Sequence, residues 1–431
     1  MSERASDPVV FFAEVAAAHR RCFWLDGGGA REWSGRRSII GWLDDDDVSL
    51  SYSAARREVT RHVGGSATVV GDDVFAVLEA ELAAGATSDQ WFGYLGYACR
   101  PDLPARPDPL LPDAVWMRAR HVRLFDHGSP GQGRGSDTGP GTVLGHTTPS
   151  PGPTPAYVTA FDAVQEHLHA GDSYEANLTH RLDTAGATDP AGTYLRLRAL
   201  NPAPYAGYLQ HDVPGAQAWL LSSSPERYAL VTAERTLETK PIKGTTPRGA
   251  TPAEDERLRD ELATHHKYRA ENLMIVDLLR NDLAQVCEVG SVEVPTLMAV
   301  ESYETVHQLV STVTGRLRDD VGTVAALRAL FPAGSMTGAP KLRTMEIVDA
   351  VEETPRGAYS GAFGWVSGDG RADLGVVIRS LMTDGQQDGQ QDGQWRYRLG
   401  TGGGITVLSD VAEEWAEARL KAERLLLALQ P

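Results

Sequence analysis

Strand-like runs that fail to alternate regularly with helices place the strongest constraint on how this chain can fold. FWLDGGG (23–29), SGRRSIIGWL (34–43) and WFGYLGYA (91–98) are short, alternating apolar runs that predict strands. FFAEVAAAHRR (11–21) and DVFAVLEAELAAG (73–85) carry apolar residues at helical spacing. Further on, AYVTAFDAVQEHLHAG (156–171) reads as an amphipathic helix ended by a glycine, and SYEANLTHRL after it suits a strand. One long helical pattern spans Glu254 to Leu283 and another Val411 to Leu429. A doubly wound dinucleotide-binding sheet needs strands and helices in strict alternation, so the order argues against one and for a mixed α and β fold.

The stretch from Gly128 to Pro155 is dense in Gly, Pro, Ser and Thr and predicts a flexible connection. It divides the chain into an N-terminal subdomain, 1–127, and a larger domain, 156–431. The Gln/Asp/Gly repeat from Asp384 to Gln394 separates two strand-like runs and reads as a hairpin excursion without chemistry. At 431 residues and 42% apolar composition the chain can bury a sizeable core. No apolar run reaches the roughly 18 residues of a membrane span, and the first residues lack the order of a secretory signal, so a cytoplasmic location is expected. Cys22, Cys99 and Cys287 are far apart and odd in number, which predicts buried thiols rather than disulfides or zinc. A net charge of −17 excludes nucleic acid and anionic membranes as partners, so an anionic substrate needs locally placed cations.

Lys243 lies in Pro-Ile-Lys-Gly-Thr, between a proline-fixed strand end and a glycine, where a lysine can serve as a nucleophile. It is accompanied by ENLMIVDLLRNDL (271–283), FPAGSMTGAPK (331–341), GAYSGAFGW (357–365), VVIRSL (376–381) and GTGGGI (400–405). With these segments the chain resembles the chorismate-utilising enzymes, a family that includes component I of anthranilate synthase and of aminodeoxychorismate synthase, and the isochorismate and salicylate synthases. The resemblance runs from about Tyr157 to the C-terminus and implies an α+β fold of two large antiparallel sheets flanked by helices.

It also implies a magnesium site on two helices. Glu271 shares a helix face with Met274, Ile275 and Leu278, which puts an ionisable group on a stripe that should be buried, while Glu414, Glu417 and Lys421 share another face. The family's Mg²⁺ motifs fall on Glu271 and Glu417, with Glu414 reaching the ion through water. Tyr268 stands where relatives commonly carry a further acid, which implies weaker metal binding. For substrate, GTGGGI offers unobstructed backbone N–H groups for a carboxylate, from Gly402, Gly403 and Gly404. The resemblance assigns that loop one chorismate carboxylate, gives Tyr359 and Arg379 the enolpyruvyl carboxylate, and adds Thr337 and Lys421 to the pocket. Ser224, Pro225 and Glu226 match a further signature, read as structural.

Two positions sort the reactions of this family. Water-using members carry a base lysine where this chain has Glu175, and anthranilate synthases carry a small residue where it has Lys243. The expectation is amination of chorismate at C4: Lys243 adds at C2 and expels the C4 hydroxyl, then ammonia adds at C4 and expels the lysine. Lys243 must be neutral to attack, which burial and a nearby Mg²⁺ would favour. His307 is the expected proton donor. Ammonia would come from a separate glutamine amidotransferase subunit, in a route to 4-aminobenzoate for folate or an antibiotic precursor. A C2-aminating enzyme and a silent chorismate-binding subunit are the alternatives. Gly27 and Gly28 remove the hydroxyl with which some relatives hold tryptophan, so no tryptophan inhibition is expected.

Overall fold

The computed structural model describes residues 7–29, 36–127, 152–303, 306–387 and 393–430. The predicted connection lies mostly outside them, and its last residue, Pro155, starts the helix Pro155–His169. Two antiparallel sheets, of nine and twelve strands among the described residues, make up the frame. This is the α+β architecture of two large sheets that the resemblance implies.

From one edge the nine-stranded sheet runs Gly338–Ala339, Glu175–Gly186, Trp395–Ile405, Ser380–Thr383, Ala218–Ser224, Tyr205–His211, Arg21–Asp26, Arg37–Leu43 and His121–Asp126. The twelve-stranded sheet begins at the edge strand Ile242–Pro247 beside Val306–Arg316 and ends at Ser66–Gly71. Strands from before and after the connection enter both sheets, so neither segment builds a sheet of its own. The sheets pack face to face. Phe23 from the first stacks on Phe92 from the second at 3.9 Å between ring centroids, in a core with Leu43, Tyr94, Leu209, Leu220 and Phe363.

Helices cover the outer faces. Pro8–Ala18, Pro190–Leu200 and Val411–Ala428 bury Phe12, Leu197 and Leu425 against the first sheet, and His266–Ala284 buries Ile275 and Leu279 against the second. The single pattern predicted from Glu254 to Leu283 is two helices, Pro252–Thr264 and His266–Ala284. Extended backbone at His265 (φ −63°, ψ 116°) breaks it, an event that the continuous helical composition on either side conceals. The three cysteines are buried and unpaired, as expected. No helix among the described residues is long and apolar enough to cross a membrane.

Candidate active site

The site forms where Glu175, on the strand next to the Gly338–Ala339 edge of the first sheet, meets Lys243, on the edge strand Ile242–Pro247 of the second. Glu175 begins a strand held between Gly338–Ala339 and the whole length of Trp395–Ile405, with Asn177 opposite Gly404 and Thr179 opposite Gly402. Lys243 precedes Gly244, whose φ of +95° makes a bulge between the pairs Ile242–Val310 and Thr245–Gln308. That bulge re-aims Lys243 so that its Nζ donates to Glu175 Oε1, across 68 residues of sequence. Glu175 is fully buried and Lys243 nearly so.

Burial pushes the Lys243 ammonium towards neutrality, as the sequence leads one to expect. The carboxylates of Glu175 and Glu271, and the hydrogen bond to Glu175, outweigh it and hold the pKa above that of an ordinary lysine. At rest the Lys243 amine is therefore charged and in contact with a carboxylate able to take up its proton.

GTGGGI is not a loop but the second half of the strand Trp395–Ile405. Its glycines are needed because the side chains of Tyr359, Glu414, Glu175 and Lys243 lie against the backbone. A Cβ on Gly404 would overlap Glu175 Oε1 and come 3.1 Å from Lys243 Nζ, and one on Gly403 would stand 3.2 Å from Glu414 Oε2. We expect Gly404→Ala to part the Lys243–Glu175 pair, with a kcat loss of about 100-fold and ~1–3 kcal/mol of overpacking strain, measurable by steady-state kinetics and denaturant unfolding.

On the helices, the Lys421 ammonium donates to Gly402 O (2.9 Å) and to Glu417 (2.8 Å). Lys421 is the main reason that Glu417 titrates below an ordinary carboxyl. Glu414 Oε1 accepts from Ser409 Oγ (2.7 Å) and from Lys267 Nζ (2.8 Å), a lysine that sequence reasoning passed over. Glu271 is buried and its Oε1 has no hydrogen-bond partner. Burial pushes its pKa up to about 7 against the pull of Lys243. A buried carboxylate oxygen without a donor, among further carboxylates, is the hard-oxygen setting that suits Mg²⁺. The oxygens of Glu271, Glu414 and Glu417 do not all lie within 4.8 Å of one another; among the described residues only Asp44, Asp47 and His121 do, and these are tied to each other and to Arg120.

The substrate-side residues gather nearby. The Arg379 guanidinium makes no hydrogen bond or ion pair with the described residues, and its backbone is left-handed (φ +48°). Burial, with Arg424 close by, lowers its pKa. A cation held this way is a ready receptor for a carboxylate. Tyr359 packs its ring on Gly400, beside Ser360, which is also left-handed (φ +67°). Thr337 is fully buried, with its hydroxyl on Gly334 O (3.2 Å) and its carbonyl accepting from Asn177 N (2.9 Å); it fixes the turn against the Glu175 strand. Lys341, from the same motif, turns away to Asp282 (2.7 Å).

His307 is buried outside this group, with Nδ1 on Ser302 Oγ (2.7 Å) and Nε2 on Asp255 (3.0 Å). Glu226, read from sequence as structural, is buried and accepts from Ser335 Oγ at 2.6 Å. Burial pushes it up to about 7 while Ser335, Lys243, Arg379 and Lys421 pull it down, so it shares a field with Lys243 and Arg379. The signal was a lone acid between the buried runs AWLLSSS and RYALV.

A model of the chorismate binding enzyme family matches residues 21–427. The chain belongs to that family. It is 40% identical over 470 residues, covering 97% of this chain, to an aminodeoxychorismate synthase from Streptomyces pristinaespiralis, of whose length it spans 63%. It is 35% identical over 380 residues to an anthranilate synthase component 1 from Haloarcula marismortui, covering 81% of this chain and 68% of that one. Among solved structures, anthranilate synthase component I from Streptococcus pneumoniae shares the fold, with a TM-score of 0.71 at 24% identity over 92% of this chain and 93% of the other.

Proposed function

We propose that this chain aminates chorismate at C4 to give 4-amino-4-deoxychorismate, as the chorismate-converting component of an aminodeoxychorismate synthase. The observation that carries the reading is the buried Lys243 ammonium held by Glu175 against Gly404. By the family resemblance, anthranilate synthases carry a small residue at that point.

In this mechanism Arg379 and Tyr359 orient the substrate through its enolpyruvyl carboxylate. Glu175 takes the proton from Lys243, and the neutral amine adds at C2. Glu226, half protonated near neutrality, gives its proton to the C4 hydroxyl, which leaves as water. Ammonia then adds at C4, the double bonds return, and Lys243 departs from C2. Glu271 and Glu417 would hold magnesium, with Glu414 through water, and the ion would offset charge on the ring carboxylate. The ammonia would be delivered by a glutamine amidotransferase subunit in the cytoplasm, and 4-aminobenzoate would follow after a separate lyase.

The test is chromatography and mass spectrometry of products from chorismate, Mg²⁺ and ammonium at mildly alkaline pH. We expect 4-amino-4-deoxychorismate; anthranilate or isochorismate as the product would overturn the reading, and no turnover would favour a silent subunit.

Tryptophan is expected not to bind. Asp26 and Arg198 form a buried ion pair at the end of FWLDGGG, and a Cβ on Gly28 would lie 2.6 Å from the Arg198 guanidinium. Calorimetry should register no heat with tryptophan, and micromolar binding would contradict this.

A further inference from the structure

Lys243 is aimed by backbone that has little of its own to hold it. Ile242–Pro247 is an edge strand, paired only with Val306–Arg316, and at Lys243 and Gly244 it bulges, with two residues set against one between the pairs Ile242–Val310 and Thr245–Gln308. Gly244, at a φ of +95°, has no side chain with which to anchor the bulge. A glycine bulge on a sheet edge is soft backbone, and the direction in which Lys243 points depends on it.

Two side chains lie on that glycine. A Cβ there would come 2.8 Å from Tyr268 Cγ, and 3.0 Å from Tyr268 Cβ and from Leu262 Cδ1, so the base of the tyrosine ring and a fully buried leucine press directly on the bulge. The break at His265 is what brings both to it. Leu262 comes from the end of the helix Pro252–Thr264 and Tyr268 from the first turn of His266–Ala284, and the far side of the tyrosine ring packs on His265 at 4.5 Å between centroids. Burial, and next Glu417, raise the pKa of the phenol, so Tyr268 brings no charge to the position where the resemblance gives relatives an acid.

We propose that Tyr268 is a positioning residue for Lys243: its side chain clamps Gly244, and the clamped bulge holds the amine at Glu175 and in line with the substrate. The inference rests on the reading of Lys243 as the nucleophile. Without the ring the bulge relaxes into the space left, and the amine moves away from its proton acceptor and from C2 together. A misplacement of about 1 Å can cost on the order of 10²-fold in rate. Arg379 and the GTGGGI strand, which receive the substrate, lie on other elements and are untouched, so the loss falls on kcat and leaves KM in place.

The test compares wild type, Tyr268→Phe and Tyr268→Ala at saturating Mg²⁺. It reads kcat and KM for chorismate with ammonium, and the rate at which chorismate adds to Lys243 without ammonia, followed by quenched intact mass. Tyr268 is only half-buried, and melting curves establish that both variants are folded. We expect Tyr268→Phe, which keeps the ring, to match wild type, and Tyr268→Ala to lose about 10–100-fold in kcat and in the rate of addition with KM nearly unchanged. Wild-type rates in Tyr268→Ala would overturn the clamp. So would Tyr268→Phe as slow as Tyr268→Ala, which would move the role to the hydroxyl, or a rise in KM with kcat unchanged, which would place Tyr268 in substrate binding. A wild type that forms neither the Lys243 adduct nor 4-amino-4-deoxychorismate would overturn the reading of Lys243 and this inference with it.

Discussion

Lys243→Ala is expected to abolish C4 amination, with kcat falling on the order of 10³-fold or more, because removal of a covalent nucleophile leaves only the binding and field effects of the site. It should also destabilise the protein. Glu175 is fully buried, its Oε1 is bonded to Lys243 and its Oε2 has no partner, so the variant strands a carboxylate in the interior. Breaking a buried ion pair from one side costs about 3–5 kcal/mol, reduced where the remaining acid can take up a proton. A double variant separates the two effects. Lys243→Ala with Glu175→Ala removes the stranded charge and should recover part of the stability in denaturant unfolding, but none of the activity. Full activity in the single variant would mean that Lys243 is a structural partner of Glu175 and nothing more.

Glu226→Gln is the second large effect. An amide keeps the shape and the contact with Ser335 but has no proton to give the C4 hydroxyl, so kcat should drop by about 10²–10⁴, the usual range for a lost general acid. The pH dependence carries the sharper signature. Burial raises Glu226 from the ordinary 4.5 to about 7, so wild-type kcat/KM should fall as pH rises through about 7 and this limb should vanish in the variant. Stability moves with it. A group raised in the folded state contributes stability that is fully present below its unfolded pKa and is lost as pH rises through its folded pKa. Wild type should therefore lose roughly 3 kcal/mol, relative to Glu226→Gln, between about pH 4.5 and pH 7. His307→Asn is the useful contrast: it disturbs Ser302 and Asp255, and should leave the pH limb in place. If His307→Asn removed the limb and Glu226→Gln did not, the proton donor would be the histidine that the sequence suggested.

The two assignments differ because they draw on different kinds of information. Lys243, Glu271, Arg379 and the glycines of GTGGGI sit in compact motifs, and a motif carries its own surroundings in sequence. Glu226 also lies in a short signature with Ser224 and Pro225, but its contact with Ser335, 109 residues away, and its burial are not written in that signature. Lys267 is equally silent in sequence, since its partner Glu414 lies 147 residues downstream on another helix. The strand character of Gly400 to Ile405 was hidden for a related reason. Glycine disfavours strands in general, and here it is required by the side chains of Tyr359, Glu175 and Lys243 that press on the backbone. The alternation that predicted a mixed fold was local and held, whereas the sharing of both sheets by the N-terminal and C-terminal segments is a matter of topology, which no local pattern encodes.

The most direct test of the central claim is the mass of the intact protein, quenched after mixing with chorismate and Mg²⁺ in the absence of ammonia. The account predicts a covalent species heavier by chorismate less one water, mapped by peptide digestion to Lys243, absent from Lys243→Ala and discharged when ammonium is added. Turnover of chorismate to 4-amino-4-deoxychorismate by wild type, with no adduct on Lys243 at any time point and undiminished rates in Lys243→Ala, would contradict it.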